Sequence, residues 1–526
     1  MTTERQRPAG AGAAEQTTGS TVARGGAWTL ASSLAPQVFI LVISVVAARY
    51  LGPDGMGRQS YIAFVSLSVT LLLTGGVPVA LSRFIGERLG AGHPEEVRPL
   101  IRWALRIELV GATLAAAGLI GAGLLGAEPS AAWILTGVGA AAAVLHTVPS
   151  AALSGTQRWR AAATFGLSTS LGLVVTVVIV LVAGGGIVGM FAAEAAFAVL
   201  GLAGVTVLAR RALAGMGAHG RLDSELRRRV LRYAGIGTLN VALSYVVWRR
   251  SEFFFLGAYS PDSEIAMYSI AFAAVAAMTK LPEAVGTVLS PAFATLFGAG
   301  AVERMRSGYS RALRFVVRIA LPLTALALAL APTAIGLVYG EEYRRAGDVL
   351  LLLLVTFPVV ALVGPSRGLI TGFGRRRFPV TVGAFAAAVN IGLDLLLIPD
   401  HGAIGAALAN SLAQLAGGIP IIAYACYQVR PVRWAPGPTV RALLAAAVAG
   451  GLAHLGLQLL GGAPGLVLGG LLGTAAYAAL VALLGVLPAE DVRWVSDLAS
   501  RRDGRLAGLV RWALRHTRAN GGTRPD

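Results

Sequence analysis

The chain has 526 residues, of which 56% are hydrophobic and only 13% charged, against roughly a quarter charged in an average soluble protein. With a mean hydropathy of +0.70, that composition excludes a water-soluble enzyme, a secreted disulfide scaffold and a disordered polymer. The net charge of +18 does not point to a nucleic-acid partner: all 44 basic residues except Lys280 are arginine, and no segment interleaves them with aromatics as a nucleic-acid groove does.

Residues 1–25 are polar, rich in Ala, Gly and Thr, and lack the apolar stretch of a signal peptide. They are expected to form a disordered arm. Apolar runs bounded by charge, Gly or Pro follow, each near the twenty or so residues that carry a helix across roughly 30 Å of hydrocarbon. Fourteen spans are read, at 27–48, 61–82, 104–125, 131–153, 161–183, 187–209, 234–257, 266–290, 313–338, 348–372, 379–398, 403–427, 438–460 and 464–487. The fold class is therefore an all-α polytopic membrane protein. Counted with the adjoining span ends, the N-terminal arm, the tail and the loops after even-numbered spans carry 37 arginines. The opposite loops carry Arg49, Arg58, Arg249, Arg250, Arg344 and Arg345. By the positive-inside rule both termini are expected in the cytoplasm.

The chain also repeats itself. Leu51-Gly52 followed by Tyr61-Ile62-Ala63-Phe64 matches Leu256-Gly257 followed by Tyr268-Ser269-Ile270-Ala271-Phe272, and Gly186-Ile187-Val188-Gly189 matches Gly402-Ala403-Ile404-Gly405. Spans 1–6 and 7–12 thus read as two copies of a six-helix unit, parallel because each holds an even number of spans. The expected organisation is an arm at 1–25, a six-helix lobe at 26–210, a cytoplasmic linker at 211–232 and a second lobe at 233–430. Two appended helices at 431–487 and a basic tail at 488–526 complete it. In the linker, Leu222, Leu226 and Val230 form a helical stripe beside Arg227, Arg228 and Arg229. In the tail, Leu506, Leu509, Val510, Ala513 and Leu514 form another among arginines. Both suit helices lying on anionic membrane lipids, and a solvated helix is the other reading.

Catalytic signatures are missing. The sequence has no phosphate-binding G-x-x-x-x-G-K-[ST] loop and no H-E-x-x-H, and Cys426 is its single cysteine. Every loop on the arginine-poor side has about twelve residues or fewer, the longest running from Arg49 to Ser60, which leaves no room for an enzymatic domain. A two-lobed bundle of this kind is the form of a secondary transporter, so neither an enzyme nor a resident cofactor is expected.

Ionisable residues inside spans cost at least about 2.5–3.5 kcal/mol at the bilayer centre and are functional candidates by default. Arg249, Arg250 and Glu252 lie in span 7, and Lys280 and Glu283 flank Pro282 in span 8. Within one helix, Arg249 with Glu252 and Lys280 with Glu283 are (i, i+3) pairs able to neutralise each other. Two adjacent arginines point about 100° apart, however, and one glutamate cannot satisfy both. A cationic wall holding a phosphate explains the surplus, so Arg249, Arg250 and Lys280 are the pyrophosphate candidates. Glu194, Glu252, Glu283 and Asp394 are the candidates for coupling to a proton or sodium ion. Arg102, Arg106, Glu108 and Arg318, near the inner ends of their spans, read as interfacial anchors. Pro36, Pro78, Pro282, Pro322, Pro332 and Pro358 mark places where spans bend.

The run Arg49-Tyr50-Leu51-Gly52-Pro53-Asp54-Gly55-Met56-Gly57 before Tyr61-Ile62-Ala63-Phe64 resembles the first hairpin of prokaryotic polysaccharide flippases. Leu397-Ile398-Pro399-Asp400-His401-Gly402-Ala403-Ile404-Gly405-Ala406-Ala407 resembles their junction between spans 11 and 12. Their superfamily also holds multidrug and toxin extruders and the lipid II flippase, and the resemblance covers residues 25–430. It implies two lobes alternating access around a central cavity in a bacterial-type plasma membrane. It further implies an undecaprenyl-pyrophosphate oligosaccharide as substrate, its pyrophosphate meeting cavity cations, and polysaccharide assembly proteins as partners. A cation-coupled multidrug exporter and a lipid II flippase are the alternatives. Span 1 has no interior Arg or Asp, unlike the charged first helix of lipid II flippases.

Overall fold

The computed structural model describes residues 11–217, 222–248, 251–375, 377–432, 436–486 and 491. The first half of the chain forms α1 (Ala11–Thr74), α2 (Val77–Gly90), α3 (Val97–Leu124), α4 (Ser130–Gly155), α5 (Trp159–Val182) and α6 (Gly186–Ala212). The rest forms α7 (Ser224–Trp248), α8 (Glu252–Tyr259), α9 (Asp262–Gly298), α10 (Val302–Tyr339), α11 (Arg344–Gly372), α12 (Arg377–Gln428), α13 (Pro436–Leu460) and α14 (Gly462–Leu483). No strand occurs among the described residues. A lipid-crossing backbone must satisfy its own polar groups, and a helix does so within one segment.

Among the described residues, ten helices are long and apolar enough to cross a membrane. Two of these, α1 and α12, each contain a pair of expected spans joined at a glycine, Gly52 (φ 68°) and Gly402 (φ 53°). Only a residue without Cβ takes such a backbone at little cost. With α9, and with α7 and α8 on either side of residues 249–250, the fourteen expected spans are accounted for. Gly186, which the repeat pairs with Gly402, has φ 56° at the turn entering α6. The pairing of Gly52 with Gly257 does not extend to the backbone, because Gly257 lies inside α8 and its chain turns later, at Ser260 and Pro261.

Several boundaries differ from expectation. The helices α9 and α10 are 37 and 38 residues long, overrunning their apolar windows. Hydropathy reports where lipid begins, whereas backbone hydrogen bonding continues past it. Helix α1 begins at Ala11, inside the arm expected to be disordered, where alanines favour helix. The apolar stripe of the linker is covered by protein. It enters α7, where Leu226 and Val230 are buried and Leu222 packs beside them against Phe84, Ile85 and Leu100. The tail stripe lies outside the described residues. Only Asp491 of the tail is described, fully buried, with Arg311, Arg314 and Arg318 of α10 at 3.6, 2.7 and 3.1 Å. Burial alone would raise this carboxyl, but the Arg314 and Arg318 guanidiniums outweigh it and hold it below the usual carboxylate range. Arg318 is thus a buried tether for the tail rather than an interfacial anchor.

Helices pack mainly within their own half of the chain, and glycine sets the closest crossings. Between α9 and α11, a Cβ on Gly286 would stand 2.4 Å from the Gly364 carbonyl, and one on Gly364 2.5 Å from the Pro282 carbonyl. Likewise α13 and α14 meet at Gly456 and Gly469, and both pack on α10.

The two halves meet at both ends of the bundle. At the arginine-poor end Arg58 pairs with Asp262 at 2.9 Å, Ser60 donates to Ser269 at 3.1 Å, and Tyr343 donates to the Ala48 carbonyl at 2.9 Å. At the arginine-rich end Gly76 of the α1–α2 break lies on α7, its N–H donating to Thr238 Oγ1 at 3.0 Å. There Arg229 reaches Glu87 at 2.8 Å, and Phe84 meets Tyr233 edge-on. Burial would raise the Glu87 carboxyl, but Arg229 and Arg88 outweigh it and hold it low. The pair is therefore intact above the usual carboxylate range and lost only as pH falls through the lowered value.

Replacing Gly286 with Leu must push α9 from α11 and is expected to cost about 1–3 kcal/mol, read as a lower Tm of the detergent-solubilised protein. Gly118→Leu, at an exposed position with nothing within 4 Å, is expected to leave Tm unchanged.

Candidate functional site

Three groups of polar side chains lie within the helices. The most buried joins α8 and α12. Glu252 opens α8 and is 1% exposed, and Asp394, Asn390 and Asn410 of α12 are 0%, 1% and 1% exposed. Asn390 and Asp394, four residues apart, share a helix face. The Asn390 amide donates to Ser251 Oγ at 2.8 Å, Asp394 Oδ2 at 3.0 Å and Glu252 Oε1 at 3.2 Å. Asn410 donates to Glu252 Oε1 at 2.6 Å, and Gln414 in turn donates to Asn410. Two oxygens of this cluster, Asp394 Oδ1 and Asn390 Oδ1, accept no hydrogen bond, and the Tyr268 hydroxyl lies beside the Glu252 carboxylate. Two buried carboxylates and an amide oxygen with spare lone pairs are an oxygen donor set that fits a proton or a hard cation.

The second group lies on α9 and α11. Lys280, near the midpoint of α9, donates to Glu283 at 2.9 Å, and both are partly accessible. Glu283 also acts electrostatically on Arg367 of α11. The Gly286–Gly364 contact brings the helices close enough for that, since Arg367 follows Gly364 by one turn. Arg367 is thus within electrostatic reach of the carboxylate that Lys280 binds.

The third is Glu194 of α6, which is partly exposed.

The structure therefore unites Glu252 with Asp394 and Lys280 with Glu283, while Glu194 stands apart from both. Arg249 and Arg250 lie outside the described residues. Glu108, read as an interfacial anchor, is instead 0% exposed with neither carboxylate oxygen hydrogen-bonded. Sequence reasoning missed Asn390, Asn410 and Arg367. The asparagines had a signal, an amide inside an apolar span and, for Asn390, one turn from Asp394. Arg367 was counted with the loop arginines because it lies close to the end of its span.

A family model described as polysaccharide biosynthesis protein matches residues 22–297, just over half of the chain. The chain belongs to that family. A second model, lipid II flippase MurJ, matches residues 281–468. Among solved structures, the lipid II flippase MurJ in an inward closed conformation is similar with a TM-score of 0.67 at 14% identity, covering 86% of this chain and 98% of that one. An inward-facing multidrug resistance MATE transporter of the MOP superfamily gives 0.61 at 17%, covering 76% and 95%. A MOP superfamily transporter from Pyrococcus furiosus gives 0.51 at 16%, covering 76% and 96%. No curated protein matches the sequence. Identities this low establish the shared fold, and the neighbours are a flippase and transporters rather than enzymes.

Asn390→Leu removes the amide donor of Asp394 and one of the donors of Glu252, which keeps Asn410. Leaving buried groups unsatisfied costs about 1–3 kcal/mol each, so Tm is expected to fall. Adding Glu252→Gln is expected to recover part of the loss, a coupling that a thermal double-mutant cycle measures.

Proposed function

We propose that this protein is a flippase that moves undecaprenyl-pyrophosphate-linked oligosaccharide from the inner to the outer leaflet for cell-surface polysaccharide synthesis. The observation that carries the reading is the placement of the two inter-half contacts. Arg58 lies on α1 and Gly75 just past its end, about 25 Å apart at 1.5 Å per residue. The first contact closes the arginine-poor side and the second the arginine-rich side, and Lys280 lies about 27 Å along α9 from Asp262, near the level of the second. Breaking one contact while keeping the other would open a central path to one side only, which is alternating access. Family membership and the flippase-like fold support the same reading.

In this mechanism the arginine-rich end is cytoplasmic and the two halves are the moving lobes. Lys280 and Arg367 receive the pyrophosphate, because cations on one wall match its charge and oxygens, and Glu283 compensates them when the path is empty. Arg249 and Arg250 add cations from span 7. Glu252 and Asp394 take up the coupling proton or sodium ion, with Glu194 and Glu283 the secondary candidates. An ion that binds one conformation better shifts the lobes only by that difference in affinity. The lipid II flippase alternative rests on the match over residues 281–468. The lack of charge inside the first span opposes it.

Depleting the protein from its host is expected to accumulate undecaprenyl-linked oligosaccharide on the cytoplasmic face with loss of surface glycan. No accumulation, with altered sensitivity to cationic drugs, would make it an exporter, and rescue of cells lacking their lipid II flippase would make it that transporter. Lys280→Gln with Arg367→Gln, and separately Arg249→Gln with Arg250→Gln, are expected to abolish flipping at normal membrane abundance. Glu252→Gln with Asp394→Asn is expected to remove the dependence of flipping on a proton or sodium gradient in proteoliposomes.

A further inference from the structure

A pocket of about 260 Å³ opens at the arginine-poor end, between the two halves. Its first-half wall includes Arg58, Tyr61, Glu128 and Trp133, and its second-half wall is made by Gly257, Asp262 and Ile265. The chemistry of this lining is mixed in a particular way. Tyr61 and Trp133 stand edge to face with centroids 6.4 Å apart and planes at 72°. Gly257 lies directly on the Tyr61 ring, where a Cβ would come within 2.3 Å of it, so the second half of the chain fixes the ring's position. Arg58 offers guanidinium donors but is bound to Asp262 at 2.9 Å, which compensates its charge. The Glu128 carboxylate is exposed at the rim.

From this geometry we infer that the pocket is a carbohydrate site, taking a sugar of the oligosaccharide at the outer side of the membrane. The inference rests on the flippase reading and adds a second, lipid-independent recognition point to it. A pyranose presents an apolar C–H face and an equatorial belt of hydroxyls, each both donor and acceptor. Aromatic rings suit the face, and a guanidinium, a phenol and two carboxylates within one pocket suit the belt. An anion site would not carry two carboxylates, and a site for an organic cation would not carry an arginine beside them. The volume lies just under the range of about 300–1,000 Å³ typical of small-molecule sites, room for a terminal sugar rather than a whole oligosaccharide. Because both halves line it and the Arg58–Asp262 pair closes it, the pocket forms when the arginine-poor end shuts and comes apart when that end opens. A sugar held there is released outward by the same motion that breaks the pair.

The test uses the full-length protein in lipid nanodiscs. The probe is the oligosaccharide released by mild acid from the host's undecaprenyl-linked pool, so that it carries neither lipid nor pyrophosphate. Saturation-transfer NMR is expected to show binding to the unmodified protein, weakened at least tenfold by Glu128→Gln, at an exposed site that leaves folding intact, and by Trp133→Leu. Trp133→Phe, which keeps an aromatic ring in the wall, is expected to retain most of it. No binding, or equal binding to the unmodified protein, E128Q and W133L, would overturn the assignment. So would tetraphenylphosphonium binding the pocket in place of the sugar. Flipping of the intact lipid-linked oligosaccharide, assayed alongside in proteoliposomes, reports the flippase reading separately. Flipping without sugar binding overturns the pocket alone, whereas sugar binding that depends on Glu128 and Trp133 sustains the pocket even where flipping is absent.

Discussion

Helices in hydrocarbon gain nothing by hiding apolar surface from lipid, which is equally apolar, so this bundle depends on how closely its backbones can approach. Glycine sets that distance. Where α9 crosses α11, Gly286, Gly364 and Gly368 lie against one another's carbonyls or that of Pro282 with no space for a methyl group. The same device holds α13 to α14 and lays the α1–α2 break on α7. These approaches bring the polar groups within reach: the α9–α11 crossing sets Arg367 one turn from Gly364 and within electrostatic reach of Glu283.

Buried apolar side chains form one cluster across both halves, holding Tyr268, Tyr309 and Phe357 of the second together with Phe64 of the first, which stacks on Phe253 at 5.0 Å. Between halves the polar links are few and specific: one ion pair and several hydrogen bonds at the arginine-poor end, and Gly76 with the Arg229–Glu87 pair at the other. Exposed ion pairs contribute little stability, commonly under about 1 kcal/mol each, which suits contacts that the proposed cycle breaks. Asp491 is a different case, a buried carboxylate among three arginines that fixes the start of the tail to α10.

Much of this was legible in sequence. Hydropathy gave the spans and thus the fold class, because the length of an apolar helix is set by the thickness of hydrocarbon. The turn at Gly402 and its counterpart at Gly186 were marked by the repeat. Glu252, Lys280, Glu283 and Asp394 stood out because charge inside an apolar run is costly. Less legible were the true lengths of α9 and α10, since an amphipathic extension beyond the lipid resembles a loop by hydropathy. The linker stripe at Leu222, Leu226 and Val230 was visible, but a stripe shows only that a helix face is apolar and not whether lipid or another helix covers it. Here α2 covers it.

What the sequence determined by itself was each residue's cost of placement: which segments belong in lipid and which side chains are expensive there. Those are local quantities, fixed by composition along some twenty residues. Partnership was decided only by the tertiary structure. Glu252 and Asp394 are 142 positions apart, and Lys280 and Arg367 are 87 apart. Whether such residues share a site depends on the crossing of helices and on the rotation of each about its axis, where about 100° separates one residue from the next. Periodicity within a single helix carries no record of either, and so the buried acid cluster, the α9–α11 charge group and the pocket between the halves emerge only in the folded bundle.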